Sequence, residues 1–415
     1  MMLILLFFFS GVNAVSNPEQ VHISYGDDDS HMTVMWSTYN NVKGYVYYGE
    51  SPNSLTDSEY SEKSVLQSDN WNALKVIHRV KLKNRPVKFL VYGDLGVEDG
   101  KITFDKLQEE MSTRQYDAVL HVGDIAYDLH SEGGKVGDMF LNNVENIASR
   151  IPYMTSPGNH ELQDGFHHYR TRFSMPNTEW PMPKNKLWYS YDIGPVHLIS
   201  YSTEAFFSDN QFYTCDQFEW LKKDLIQANK NRHKHPWIIA MGHRPMYCSN
   251  RDIDDCTGRI LGYWVKKGLE DLFYEYGVDL ILQAHEHSYE RLWPVYDFHV
   301  FSNNYINPRA PVHIISGAAG NPWSAFRAAE KSLHSYGRLS VVNKTHLHFE
   351  QVMVKDGNIL DSIWIVQNQH GQFVQNINCT GNHQSKSCHC PHPYPYVVYG
   401  IIGGLGLLSL ITLTV

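Results

Sequence analysis

From Asn17 to Lys83 apolar and polar residues alternate in short runs, Val21-His22-Ile23-Ser24-Tyr25, Met32-Thr33-Val34-Met35-Trp36 and Gly44-Tyr45-Val46-Tyr47-Tyr48, separated by polar turns. Alternation with a period of two puts one face of a strand in a core and the other in water, so this stretch predicts antiparallel β-sandwich material. After Pro86 the pattern changes. Val87 to Tyr92, Ala118 to Val122, Tyr153 to Thr155, Val196 to Tyr201, Trp237 to Ala240 and Val278 to Leu282 read as buried strands, each followed by a polar or glycine-containing loop. Between them Ile102 to Arg114 and Gln217 to Lys230 have the apolar spacing of amphipathic helices. The expectation is an α/β layered domain behind a small all-β one.

The two ends of the chain depart from both patterns. Leu3 to Phe9 is unbroken apolar sequence, too short to span a bilayer, and Val12-Asn13-Ala14 is a small-residue cleavage site, so residues 1–14 read as a signal peptide. Tyr396 to Val415 is uncharged and long enough to cross a hydrocarbon core. The spacer His389 to Pro395, behind Ser385 and Ser387, leaves two readings for 396–415, a membrane span or a cleaved lipid-anchor signal. The resulting division is 15–86 for the all-β domain, 87–368 for the α/β domain, 369–395 for a Cys/His/Pro-rich tail, and 396–415 for the anchor or anchor signal.

Composition adds a route and removes a partner. With 415 residues the chain has room for a large and a small domain, and a net charge of -9 without a basic run excludes the footprint that nucleic acid requires. Sequons at Asn343-Lys344-Thr345 and Asn378-Cys379-Thr380, and six cysteines, fit the secretory pathway and an extracellular or surface-anchored destination. Cys248 and Cys256 bracket a polar loop and are expected to pair; Cys379, Cys388 and Cys390 lie in the tail, and Cys215 has no evident partner.

The 23 histidines direct attention to chemistry. Short motifs stand at the expected strand ends: Gly-Asp-Leu-Gly at Asp94, Gly-Asp-Ile-Ala-Tyr at Asp124, Gly-Asn-His-Glu at Asn159, Gly-His-Arg-Pro at His243 and Ala-His-Glu-His at His285. Each alone has a commoner meaning, a turn, a helix cap or a hydrogen-bonded core histidine. As an ordered set they supply what two adjacent cations need. One Asp, best Asp124, can bridge with both carboxylate oxygens. Asp94, Tyr127, His287, Asn159, His243 and His285 then offer hard oxygens for a high-charge ion, and imidazoles with an amide oxygen for a softer one. In His-x-His on a strand end, His285 and His287 project to the same side.

These motifs, with Trp-Tyr-Ser-Tyr-Asp-Ile-Gly at 188–194, Gly-His-Arg-Pro-Met-Tyr-Cys at 242–248 and His-Ser-Tyr-Glu-Arg at 287–291, resemble the purple acid phosphatases, most closely their long animal form. The resemblance implies a calcineurin-like metallophosphoesterase domain, a β-sandwich flanked by helices, behind a fibronectin-III-like domain. It further implies Fe(III) on Asp94, Tyr127 and His287, with Fe(II), Zn(II) or Mn(II) on Asn159, His243 and His285. Tyr127 discriminates, because Asp94-Leu95-Gly96 lacks the Asp-x-His of the wider group and leaves a place for a phenolate.

The implied activity is acid hydrolysis of phosphate monoesters, small molecules or phosphoproteins, by a metal-bound hydroxide. His160 is expected to hydrogen-bond the phosphate or protonate the leaving oxygen, and otherwise to orient the ligands; Asn159 and Tyr247 are the other expected substrate contacts, with Arg244 as an alternative to Tyr247 and a purely structural role for these two as the competing reading. A phosphodiesterase with the same metals, and a surface protein that binds metal or phosphate without turnover, are the competing readings. Two departures from the family pattern stand out. Lys83-Asn84-Arg85-Pro86 leads almost directly into the catalytic domain where closing sandwich strands are expected, and the loop between Gly320 and Pro322 is short. A sandwich shortened in this way is expected to expose an edge.

Overall fold

The structure is a computed structural model, and it describes residues 18–25, 32–39, 41–51, 54–67, 74–82, 88–206, 211–249, 269–320 and 334–373. The leader, the tail with Asn378 and the hydrophobic C-terminal segment lie outside the described residues, as do Cys256 and the short loop after Gly320. No helix among the described residues is long and apolar enough to cross a membrane.

The alternating N-terminal runs form strands β1 (Glu19–Tyr25), β2 (Met32–Thr38) and β3 (Tyr45–Ser51), followed by β4 (Ser54–Tyr60), β5 (Glu62–Gln67) and β6 (Leu74–Leu82). They make an antiparallel sheet of order β1-β2-β6-β5 and a β3-β4 hairpin. Strand β6 ends at Leu82 and the next strand begins at Lys88, so the connection is as short as the sequence indicates.

One edge of this sheet, β1, meets the rest of the chain. Ile23 bridges to Pro152, Ser24 Oγ donates to the Ser174 carbonyl at 2.7 Å, and the Gln20 N–H donates to Glu145 at 3.2 Å. Lys75 on β6 adds an ion pair to Asp138 at 3.0 Å. Contacts of this kind along an edge hinder the addition of a further strand there.

The buried runs after residue 87 form β7 (Lys88–Tyr92), β8 (Ala118–Val122), β9 (Tyr153–Ser156), β10 (Tyr189–Ile193), β11 (Val196–Ser200), β12 (Trp237–Met241) and β13 (Leu280–Gln283). Then come β14 (Tyr289–Arg291), β15 (Val295–Tyr296), β16 (His299–Val300), β17 (Val312–Ser316), β18 (Ser335–Val341), β19 (His346–Met353) and β20 (Ile359–Val366). Two six-stranded sheets result, β20-β19-β18-β7-β8-β9 and β10-β11-β12-β13-β17-β14. Helices α1 (Lys101–Thr113), α2 (Lys135–Ala148), α3 (Gln163–Arg172) and α4 (Gln211–Lys230) complete the domain.

The pleat explains the layering. In the second sheet Leu198, Ile239, Leu280 and Ile314 join Phe89, Val91 and Leu120 of the first sheet in one core, while Ile199, Ile238, Ala240 and Ile281 face the other way onto Leu221 and Leu225 of α4. Alternate residues therefore serve two apolar layers, and strands buried on both faces read as continuous apolar runs. In each sheet the central strands are parallel, β7-β8-β9 and β11-β12-β13-β17, so their C-terminal ends collect on one side.

One buried charge ties β11 to its neighbours. His197 Nδ1 lies 2.6 Å from Asp192 on β10 and Nε2 lies 2.9 Å from Asp224 on α4. Burial opposes the imidazolium, but the two carboxylates outweigh it and raise the His197 pKa from 6.5 to about 9. Because the folded value is the higher one, the stabilisation is complete below pH 6.5 and is lost as pH rises through about 9. The expected outcome is a melting temperature that falls across that window, an effect worth up to about 3 kcal/mol. His197→Gln should flatten this part of a calorimetric pH profile.

Candidate metal centre

Each motif sits on a loop at the C-terminal end of a parallel strand. Asp94 follows β7, Asp124 and Tyr127 follow β8, Asn159 follows β9, His243 follows β12, and His285 and His287 follow β13. Asp94, Asp124, Tyr127 and His285 have φ of 58, 49, 46 and 69°. Non-glycine residues seldom occupy the left-handed region, and they do so where surrounding contacts over-determine the backbone, as at binding sites. Such contacts are present: the His285 N–H donates to Asp94 Oδ2 at 2.8 Å, the Asp94 N–H to the Gly123 carbonyl at 3.2 Å, and the Asp124 N–H to Glu161 Oε2 at 3.0 Å.

The side chains converge in two groups. Tyr127 Oη lies 2.8 Å from His287 Nε2 and 3.0 Å from Asp94 Oδ1, and the latter two atoms are 3.4 Å apart. In the second group His243 Nε2 lies 3.1 Å from Asn159 Oδ1 and 3.1 Å from His285 Nδ1. Asp124 Oδ2 stands 3.3 Å from His243 Nε2, and a ligand atom from each of Asp124, His243 and His285 falls within 4.8 Å of the others. Asp94, Asp124 and His243 are buried.

Electrostatics at the centre are dominated by these carboxylates. Burial alone would raise the Asp124 pKa; His243, His160 and His285 outweigh it and hold the carboxylate well below its ordinary range. Burial likewise disfavours charge on His243, yet Asp124 and Asp94 raise its pKa. His287 is raised in the same way, with Asp94 overcoming desolvation. An anionic pocket that draws positive charge onto imidazoles is one built for cations.

Supporting residues that the sequence reading left without a role surround the cluster. Glu161 is buried and accepts the backbone N–H groups of Asp124, Ile125 and Gly158 at 3.0, 3.0 and 2.9 Å, which fixes the loops carrying Asp124 and Asn159. Burial, then the Asp124 charge, pushes its pKa up to about 8. Its signal was its place in Gly-Asn-His-Glu. Asp128 Oδ1 lies 2.8 Å from His160 Nδ1, leaving His160 Nε2 on the side of Asp124 Oδ2, 3.9 Å away. Nothing in the spacing marks Asp128, because the contact joins two loops.

Glu204 grips Arg244, whose Nε donates to it at 2.8 Å, and Arg244 Nη1 stands 3.3 Å from His285 Nε2. Tyr289 and Arg291 both donate to Asp361, at 2.7 and 2.6 Å, and so secure the strand after His287 to β20. An open cleft of about 590 Å³ adjoins the cluster, with Tyr127, His160 and His287 in its lining.

Two expectations require correction. Tyr247 is buried in the core beneath the second sheet, its ring packs against His313, and its hydroxyl donates to Glu270, so it is committed to packing and is not the substrate contact expected of it. Cys215, left without a partner by the sequence, is disulfide-bonded, as is Cys248.

Comparison with known proteins covers most of the described chain. Residues 18–84 match the model for the N-terminal domain of purple acid phosphatases, 87–289 that for calcineurin-like phosphoesterases, and 310–362 that for the iron/zinc purple acid phosphatase-like protein C domain. Acid phosphatase type 7 of Homo sapiens is 41% identical over 419 residues, covering 86% of this chain and 92% of the relative. The chain belongs to the purple acid phosphatases.

The Danio rerio acid phosphatase type 7 is also 41% identical, over 88% of this chain and 94% of its own. The human alignment spans 419 positions yet takes in 86% of a 415-residue chain, so that relative has residues this one lacks. Among solved structures, the purple acid phosphatase PPD1 from yellow lupin (Lupinus luteus) seeds shares the fold, with a TM-score of 0.69 at 20% identity over 85% of this chain and 75% of its own. Family membership implies a dinuclear metal centre that contains iron.

The glycines of the motifs are sterically required. A Cβ on Gly158 would lie 2.2 Å from Asp124 Oδ1 and 2.6 Å from its backbone nitrogen, and one on Gly123 would lie 2.4 Å from His243 Nδ1. Gly158→Ala should therefore displace Asp124 and lower bound metal at least about tenfold in affinity, the scale expected when a supporting contact is lost. Elemental analysis of dialysed protein, with circular dichroism as the check on folding, measures it.

Proposed function

We infer that this chain is an acid phosphatase that hydrolyses phosphate monoesters at a centre of Fe(III) and a divalent metal, Fe(II), Zn(II) or Mn(II). The observation that carries the reading is the meeting of the donor atoms. Ligands about 2.1 Å from one cation and at right angles stand about 3 Å apart. The spacings of 2.8, 3.0 and 3.4 Å among Tyr127, Asp94 and His287, and of 3.1 Å from His243 to Asn159 and to His285, fit that requirement. The phenol, carboxylate and imidazole of the first group suit a ferric ion, and the amide oxygen and imidazoles of the second suit a divalent one. Asp124 would contribute to both. When bound, such a pair of cations ionises a water at acid pH and neutralises charge on the phosphoryl oxygens.

The chain's own residues supply the rest. Asp128 holds His160 by Nδ1, which leaves Nε2 beside the cluster, where a protonated ring donates to the phosphate or to the departing alkoxide oxygen. Glu161 keeps Asp124 in place through backbone N–H groups and needs no contact with substrate. Arg244, held by Glu204, adds a fixed positive charge at the His285 side. Passage through the secretory pathway is part of the same reading. It is supported by the disulfide-bonded state of Cys215 and Cys248, by the apolar leader, and by the exposed turn that presents Asn343.

Asp124→Ala is expected to strip the protein of metal and to abolish hydrolysis of p-nitrophenyl phosphate. His160→Ala should keep its metal and lose about 10²-fold or more in kcat. Metal content and steady-state rates, measured on the same preparations, decide between these roles; Asp124→Ala with undiminished metal would overturn the bridging assignment.

A further inference from the structure

His285 stands past the end of β13 with a φ of 69°, a backbone conformation that persists only where outside contacts impose it. Its two ring nitrogens meet different neighbours. Nδ1 lies 3.1 Å from His243 Nε2, among the donors assigned to the divalent ion, and Nε2 lies 3.3 Å from Nη1 of Arg244. A half-turn of the ring about its Cβ–Cγ bond would put a carbon where Nδ1 now is, and the contact at Nε2 opposes that turn.

Arg244 is in turn held from several sides. Its Nε and Nη2 donate to the two oxygens of Glu204 at 2.8 and 3.3 Å, a fork on a carboxylate that sets the plane of the guanidinium. Glu204 is 1% exposed. The buried hydroxyl of Thr203 donates to Glu204 at 3.1 Å and accepts the Arg244 N–H at 3.2 Å, while Gln283 Nε2 donates to the Arg244 carbonyl at 3.3 Å. Thr203 and Glu204 follow β11, Arg244 follows β12, and Gln283 closes β13 two residues before His285, so the network joins three adjacent parallel strands at the end that carries the cluster. The other group of donors has a support of its own, since Asp361 secures the strand after His287. A carboxylate and a guanidinium withdrawn from water add little to stability over an apolar pair of the same size, so their presence here is better explained by what they hold.

Resting on the dinuclear phosphatase reading above, we propose that Glu204, acting through Arg244, is a positioning residue for the divalent ion: it keeps the His285 ring with Nδ1 turned toward the donors of that ion and leaves the ferric group of donors untouched. The two halves of the centre are then held separately, and the divalent ion can be weakened without loss of iron.

The test loads full-length protein with iron and zinc, dialyses it against zinc buffered over a range of free concentrations, and measures both metals by elemental analysis together with the absorption expected of the Tyr127 phenolate. Glu204→Gln keeps the shape of the side chain and removes its charge. Because that change leaves a buried guanidinium unpaired, the second variant is Glu204→Gln/Arg244→Gln, which removes both charges at once and should fold even where the single variant does not. Circular dichroism checks folding. In each folded variant zinc affinity should fall about tenfold to a hundredfold, the scale for losing a contact that orients a metal ligand, while iron content and the phenolate band stay as in the wild type. Wild-type zinc affinity in a folded variant, or iron and zinc lost together, would overturn the inference. Wild type that holds both metals without hydrolysing p-nitrophenyl phosphate would overturn the phosphatase reading alone, and wild type that takes up no zinc beside its iron would overturn this inference with the dinuclear reading.

Discussion

Asp124 is a carboxylate withdrawn from water at the end of a buried strand, and much of the site follows from keeping it charged there. Desolvation of an ion is costly unless partners replace the lost water, and here the partners are imidazoles on one side and the backbone N–H of His160 on the other. The His160 N–H donates to Asp124 Oδ1 at 3.0 Å, while His243 and His285 face the other oxygen's side. The same carboxylate imposes a glycine at 158, since the space a Cβ would need is occupied by Asp124 Oδ1. It also imposes Glu161, which holds the Asp124 backbone in the left-handed region. A cation pair completes this arrangement electrostatically, which is why the cluster is better understood as a binding site than as a set of core hydrogen bonds.

Much of this was legible in the sequence because it was local. Apolar runs such as Ala118 to Val122 and Trp237 to Ala240 are buried on both faces and become strands with almost the same bounds. The motif residues follow those strands directly, so reading strand ends also located the cluster. What was not legible depends on contacts across the chain. Asp128 reaches His160 only because the loops after β8 and β9 are neighbours, and Glu204 meets Arg244 through the packing of two loops of the second sheet. The choice between a substrate contact and a structural role for Tyr247 was not legible for the same reason, since its distance from the motif histidine says nothing of Glu270 and His313, against which it packs. The contacts of β1 with Pro152 and Ser174 were not legible either, because those residues lie far along the chain.

The all-β domain is therefore more than an appendage. Its first strand is joined to α2 and to the segments on either side of β9 and α3, and β9 delivers Asn159 and His160. Lys75 and Arg172 share Asp138, so a single carboxylate on α2 links the sandwich to α3. Through these contacts a small domain with a short connection packs against the elements that carry one side of the site. Rigid support of this kind is what holds ligands at fixed separations.

The proposed ferric site stands on Tyr127, so the absorption expected of its phenolate provides the most direct measurement. Visible absorption of the purified protein after iron loading should show a phenolate-to-ferric band that disappears in Tyr127→Phe while iron remains bound. Iron-loaded, folded wild-type protein without such a band, or a band unchanged in Tyr127→Phe, would contradict the assignment of Tyr127 as the ferric ligand.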